Sequence, residues 1–179
     1  MKTAIVVLAA VAGLVLALAP AAEAAPMEFV TVGDAGNADD NHLRGGEYWG
    51  SVAYEYNIGK YEVTNAQYTV FLNAVAASDP YGLYKEEMGG TADLRGGITR
   101  TGSDGSYTYA TKTNMADKPV NWVDWNNAAA FSNWLTTGDK SSGYYTMTSS
   151  GVATSNAHSH DAYAAINGLT YFIPTEDEL

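Results

Sequence analysis

The stretch Ile58-Gly-Lys-Tyr-Glu-Val-Thr-Asn-Ala-Gln-Tyr68 carries an extended segment directly into a helix. Alternation over residues 52–58 predicts a strand, which Gly59 interrupts. Thr64 is a favourable N-cap, and Gln67 lies three positions later, where a capping-box side chain reaches back to the cap's backbone N–H. The apolar positions that follow at helical spacing are Tyr68, Phe71, Leu72 and Val75. The stretch therefore predicts a strand-to-helix corner with one apolar helix face.

Two further stretches have the same design. In Lys118-Pro-Val-Asn-Trp-Val-Asp-Trp-Asn-Asn-Ala-Ala-Ala-Phe-Ser-Asn-Trp-Leu135, Asp124 is the expected N-cap, and Gly138 ends the helix. In Phe172-Ile-Pro-Thr-Glu-Asp-Glu-Leu179, Thr175 and Glu178 form a second capping box at the start of a helix. Because the sequence stops there, we expect the chain to be the front part of a longer domain.

The rest of the sequence predicts short strands between polar connections. The predicted strands cover residues 27–32, a hairpin over 98–110 around the turn 102–105, 144–147 and 169–173. The predicted irregular segments cover residues 33–50, 81–97 and much of 139–168. Eighteen glycines and thirteen tyrosines suit a loop-rich α+β domain with large aromatic residues in its core.

Residues 1–24 are predicted to be a signal peptide. Lys2 precedes an apolar run over residues 4–18, and Ala22-Glu-Ala24 is an A-x-A cleavage site. The apolar run of about 15 residues is shorter than the roughly 20 that span a bilayer. The alternative to a cleaved signal peptide is that the segment is retained as an N-terminal membrane anchor. We expect residues 25–179 to form one exported domain, periplasmic, cell-surface or secreted.

Charge and cysteine content exclude several functions. The net charge of -11 disfavours binding to nucleic acid, because phosphates would repel the chain. The sequence contains no cysteine. It therefore has no disulfide, no thiolate nucleophile and no thiolate metal site.

Two polar clusters contain residue types that can bind metal ions. On a strand, His158 and His160 would share a face, and Asp161 could orient one of the two rings. A metal site requires a third ligand, so a solvated loop is favoured for this segment. The oxygen-rich loop with the side chains of Asp34, Asn37, Asp39, Asp40 and Asn41 lacks EF-hand spacing, so a plain surface loop is favoured.

The remaining candidates have structural explanations. Capping, and not acid–base catalysis, explains the polar side chains at the predicted helix starts. These are Glu62, Asn65, Glu176, Asp177 and Glu178. Core packing is favoured over a sugar-binding face for Trp122, Trp125 and Trp134. We therefore assign no catalytic, cofactor-binding or metal-binding residue, and the cofactor stays unknown.

The three junctions together resemble the formylglycine-generating enzyme, or sulfatase-modifying factor, family. They match its landmarks "G-x-x-E-V-T-N-x-x-Y", "P-V-x-x-V-x-W-x-x-A" and "L-P-T-E-x-E-W" in order, over roughly residues 27–179. The resemblance implies an α+β fold related to C-type lectins, with much irregular structure. It covers the N-terminal portion of the family's domain, so the fold is expected to be truncated here.

The resemblance also implies a chemistry that this chain lacks. Family oxidases convert a sulfatase cysteine to formylglycine with a copper-binding cysteine pair in the later half, where calcium ligands also lie. Neither that pair nor the "G-N-V-W-E-W" and "R-G-G-S-W" segments occur in this sequence. Leu179 replaces the family's Trp after "P-T-E-x-E". Whether the chain is an enzyme is left open.

Three functions follow as hypotheses. The first is an exported family member, inactive because it lacks the catalytic half. The second is a lectin-like module that binds an exported sulfatase, another extracellular protein or a glycan through the loops 33–50 and 139–168. The third, ranked lowest, is a metal-dependent enzyme that uses His158 and His160.

Overall fold

The computed structural model describes residues 26–91 and 94–179. The predicted signal peptide, residues 1–24, lies outside the described residues. Among the helices of the described ranges, none combines the length and apolar composition of a bilayer span. The elements in chain order are β1 (Phe29–Val32), β2 (Tyr56–Gly59), α1 (Asn65–Val75), α2 (Glu86–Gly89), β3 (Ile98–Thr101), β4 (Thr108–Thr111), α3 (Trp125–Thr137), β5 (Tyr145–Met147), β6 (Ala153–Ser155) and α4 (His160–Asn167).

The strands pair as three antiparallel hairpins, β1 with β2, β3 with β4, and β5 with β6. The hairpin predicted over residues 98–110 is confirmed. Gly102, in the turn of this hairpin, has φ +91°. A Cβ atom at this position would lie 2.5 Å from the backbone oxygen of Ser106, so the turn requires glycine. The strand predicted over residues 52–58 is wrong at its start, since β2 begins only at Tyr56. Mixed helices and small sheets agree with the α+β class.

The first corner forms as predicted. The Thr64 hydroxyl accepts from the backbone N–H of Gln67 at 3.2 Å, and the Gln67 side chain accepts from the N–H of Thr64 at 2.9 Å. The first residue of α1 then reaches across to the second junction. The side-chain amide of Asn65 donates to the carbonyl oxygens of Met115 at 2.9 Å and Lys118 at 3.0 Å. The two corners therefore lie side by side.

Helix α3 also begins and ends where its sequence predicts. The Asp124 carboxylate accepts from the N–H of Asn127 at 3.0 Å, which caps the first turn. Gly138 adopts a left-handed φ of +78°, and its N–H donates to the carbonyl of Trp134 at 2.9 Å. Local capping chemistry thus sets both ends of this helix.

Aromatic rings of α1 and α3 form the main core. The ring of Phe71 lies with its centroid 5.3 Å from Tyr68, 5.3 Å from Phe131 and 5.4 Å from Trp134. Leu72, Leu83, Met88 and Ile98 are buried in the same cluster. Contacts between rings at such distances stabilise the core beyond simple burial.

The prediction that all three tryptophans pack in the core is wrong for two of them. Trp134 packs against the core, but Trp122 is 38% exposed and Trp125 is 47% exposed. Trp122 has φ +68°, which breaks the extended path just before the cap. As a result, Val120 and Val123 face the core in its place.

A second cluster forms around β5 and α4, in a segment predicted to be mostly polar turns. The rings of Tyr163 and Phe172 pack against the buried Tyr144 and Tyr145. The strand predicted at residues 169–173 does not form. Instead, side-chain oxygens take its backbone donors: Tyr171 N–H donates to the Thr136 hydroxyl at 3.0 Å, and Ile173 N–H to the Tyr145 hydroxyl at 2.9 Å.

Candidate ligand-binding cleft

The buried carboxylate of Glu178 joins three separate parts of the chain. Its Oε2 atom lies 2.9 Å from Nδ1 of His160 and accepts from the backbone N–H of Thr175 at 2.9 Å. Its Oε1 atom accepts from the Tyr54 hydroxyl at 2.7 Å. The carboxylate therefore connects the loop before β2, the start of α4 and the turn at residues 174–178.

The capping box predicted between Thr175 and Glu178 is confirmed, but the helix it was expected to start is absent. The N–H of Glu178 donates to the Thr175 hydroxyl at 3.3 Å and to its carbonyl at 3.2 Å, which closes a turn. Capping therefore explains only part of what Glu178 does. Its other partners, His160 and Tyr54, are 18 and 124 positions away in sequence, so no local pattern indicated them.

His160 is the first residue of α4 and is only 6% exposed. Its ring stacks on Phe172 with centroids 4.1 Å apart and an interplanar angle of 17°. The edge of Tyr144 completes this packing at 5.0 Å. The solvated loop expected for the histidine segment is therefore wrong at His160, and the strand geometry is replaced by a helix start.

The other members of the histidine segment do not join His160. His158 is exposed, and its Nδ1 lies 2.8 Å from the Asn156 side chain. Asp161 is exposed and accepts from the Ser159 hydroxyl at 2.5 Å. Within residues 26–91 and 94–179, no group of three or more His, Asp or Glu side chains is arranged to hold a metal ion.

The oxygen-rich loop uses its side chains to fasten its own backbone. Asp40 accepts from the N–H of His42 at 2.9 Å, and Asn37 accepts from the N–H of Val52 at 3.0 Å. Asn37 also donates to the carbonyl of Gly50 at 2.5 Å. These contacts agree with the structural role that was favoured for the loop.

Hydrogen bonds determine the charge state of Glu178. Burial by itself would raise the pKa of this carboxyl. The hydrogen bonds from His160, the Thr175 N–H and Tyr54 outweigh burial and lower the pKa to about 2. Burial and the same carboxylate raise the pKa of Tyr54, so its hydroxyl stays protonated and donates.

An ionised Glu178 also fixes the tautomer of His160. Since the carboxylate can only accept, Nδ1 must carry a proton and donate to it. The other ring nitrogen, Nε2, has no hydrogen-bond partner among the residues that the structure describes. Carboxylate-oriented imidazoles of this kind present Nε2 in a fixed direction.

His160 lines a cleft of about 460 Å³. The cleft walls are residues 51–54, Tyr144, residues 159–161, Thr175 and Asp177. The Asp177 carboxylate accepts a hydrogen bond from the N–H of Gly50 at 3.0 Å. This bond connects Asp177 to the segment that continues into residues 51–54. Residues 144 and 159–161 of the predicted polar segment 139–168 thus line the cleft, together with residues 51–54, which directly follow the loop 33–50.

The cleft is acidic. Asp161 and Asp177 lie at its edge, Glu178 lies beneath His160, and the lining residues include no lysine or arginine. The hydrogen bond from Ser159 lowers the pKa of Asp161, so this carboxylate is charged at neutral pH. The site is therefore suited to ligands that donate hydrogen bonds or carry positive charge.

The fold and the cleft define a class of protein. It is an α+β domain of short hairpins and irregular connections, held by two capped strand-to-helix corners around an aromatic core. Its candidate site is a polar cleft between loops.

The chain belongs to the sulfatase-modifying factor enzyme 1-like domain family, whose model matches residues 25–179. Membership confirms the resemblance carried by the three junctions and implies a C-type-lectin-like fold. No curated protein and no solved structure matches the chain significantly.

Proposed function

We propose that this chain is an exported member of the family that does not itself oxidise cysteine. The observation that carries the proposal is the absence of cysteine from all 179 residues. The oxidases of the family hold copper through a cysteine pair, and a chain without thiolates does not offer that donor set. The three junctions, in family order, support assignment of these residues to the N-terminal portion of the domain. The leader-like residues 1–24 support export.

The test is oxidation of a sulfatase-type peptide. The chain, expressed with its own leader and purified from the exported fraction, is incubated with a Cys-x-Pro-x-Arg peptide, copper, oxygen and a reductant. We expect the peptide thiol to persist by mass spectrometry, and the mature protein to begin at Ala25. An active family oxidase is the positive control, and conversion of the thiol to an aldehyde by this chain would refute the proposal.

A binding role is the second candidate, and the cleft favours it. Of the two loops that the sequence suggested for binding a sulfatase, another extracellular protein or a glycan, the loop 139–168 lines a cleft of about 460 Å³, and residues 51–54, just after the loop 33–50, line it as well. His160, whose Nε2 has no hydrogen-bond partner among the described residues, is one of the lining residues. An oriented, unused polar atom in a concave site is what ligand recognition requires.

Blocking the cleft tests the binding role. Ala53 is exposed and lines the cleft, so Ala53→Arg should fill it without disturbing the core. On arrays of extracellular glycans and sulfatase-derived peptides, we expect any bound ligand to lose at least about tenfold in affinity. The control is Ala38→Arg, which adds the same charge at an exposed position outside the cleft lining. Equal binding by both variants would count against the cleft.

A further inference from the structure

The cleft offers three acceptors to a ligand. Nε2 of His160 is one, because the ionised Glu178 holds the ring proton on Nδ1 at 2.9 Å. The carboxylates of Asp161 and Asp177 are the other two; Asp161 accepts from the Ser159 hydroxyl at 2.5 Å, and Asp177 accepts from the Gly50 N–H at 3.0 Å. Both carboxylates line the same cleft as the imidazole.

The ligand that fits this arrangement is a compact cation. An ammonium group carries three donors around a point charge, which suits three acceptors that line one cleft. A guanidinium presents a planar fork that prefers a single carboxylate in bidentate contact. A neutral hydroxyl group would leave the negative charge of the cleft uncompensated, on a chain whose net charge is -11.

We propose that the cleft binds a primary ammonium group, which donates to Nε2 of His160 and lies between the carboxylates of Asp161 and Asp177. This inference rests on the binding role proposed above and names its ligand class. A lysine side chain and the amino group of an aminated sugar or small diamine share this chemistry. The buried Glu178 orients the imidazole and does not itself contact the ligand.

The experiment titrates the purified full chain with N-acetyl-lysine methylamide and, in parallel, with N-acetyl-norleucine methylamide, which lacks only the ammonium group. Binding is followed by calorimetry and by the ¹⁵N resonances of the His160 ring. We expect saturable binding of the lysine derivative with a shift at Nε2, and none for norleucine. Aminated sugars and diamines, tested in the same way, distinguish the sources of the ammonium group.

Two matched variants separate site-specific recognition from net charge. Asp161 is exposed, so Asp161→Asn should fold normally and weaken binding about three- to tenfold. Asp117→Asn removes the same charge from an exposed turn outside the cleft lining and should leave the affinity within about twofold. Equal losses in the two variants would overturn the proposal, because they would indicate general electrostatic attraction.

The remaining outcomes distinguish this inference from the binding role itself. If phosphate binds and shifts Nε2, the ring nitrogen donates and the ammonium proposal is wrong, although the cleft still binds ligands. Neutral glycans or the norleucine derivative could instead bind with an affinity that Ala53→Arg lowers. In that case the ammonium group is the wrong ligand class, but the binding role of the cleft stands. If no probe binds and no array ligand depends on Ala53, both proposals fail.

Discussion

We expect Phe71→Ala to lower the free energy of unfolding by about 3–5 kcal/mol, the range for removing a fully buried phenylalanine. Phe71 has no exposed surface and contacts three aromatic rings at centroid distances of 5.3–5.4 Å. Truncation would leave a cavity between α1 and α3, which rigid rings fill poorly. Denaturant unfolding followed by circular dichroism measures the change.

The control for Phe71→Ala is Leu169→Ala, at a residue that is 81% exposed. We expect this variant to change the free energy of unfolding by no more than about 0.5 kcal/mol. A loss below about 1 kcal/mol for Phe71→Ala would show that the rings of the two helices do not form a continuous core.

The second large effect concerns acid and Glu178. The folded-state pKa of about 2 lies below the ordinary value of 4.5, so the native state stabilises the ionised form. This stability is fully present above pH 4.5 and is lost as the pH falls toward 2. Because Glu178→Gln removes the charge that these hydrogen bonds stabilise, we expect it to lower the free energy of unfolding at neutral pH by about 1–3 kcal/mol.

Because the sequence has 20 acidic residues, many groups contribute to acid unfolding, and the decisive measurement is a comparison. Wild-type protein and Glu178→Gln should converge in stability between pH 4.5 and pH 2. Glu176→Gln, at an exposed neighbouring position, should instead follow the wild-type curve. Parallel curves for wild type and Glu178→Gln would show that the buried carboxylate is not held in its ionised form.

The starts of α1 and α3 could be predicted from the sequence because each depends on residues three positions apart. Thr64 with Gln67 and Asp124 with Asn127 form the contacts that their spacing indicates. Capping is a local property of the chain, so it does not require knowledge of tertiary structure.

The candidate site could not be predicted in this way, because it is assembled from distant contacts. Glu178 satisfied a local capping pattern, which gave no reason to expect its contacts with His160 and Tyr54. The polar neighbours of His160 suggested a solvated loop, whereas Phe172 and Tyr144 cover its ring. Tertiary packing overrode composition at this position.

Trp122 illustrates a different limit. Its apolar neighbours predicted a buried segment, but a left-handed backbone at φ +68° places the indole at the surface. Such a conformation is uncommon for a bulky residue and has no recognisable sequence signal. Only the structure could therefore show that Trp122 is at the surface while Trp134 packs against the core.

The contacts at residues 177–178 have a consequence for the order in which the chain folds. Gly50, Tyr54 and Tyr56 bond to them across 127, 124 and 122 positions. Closing loops of that length is entropically costly and slows folding. During synthesis or export, the segment before β2 can form its local hydrogen bonds early, but its contacts with residues 177–178 form only after the far end of the sequence is available. Attachment of this segment to the turn at residues 174–178 is thus a late event, and beforehand the segment is more accessible to proteases and chaperones.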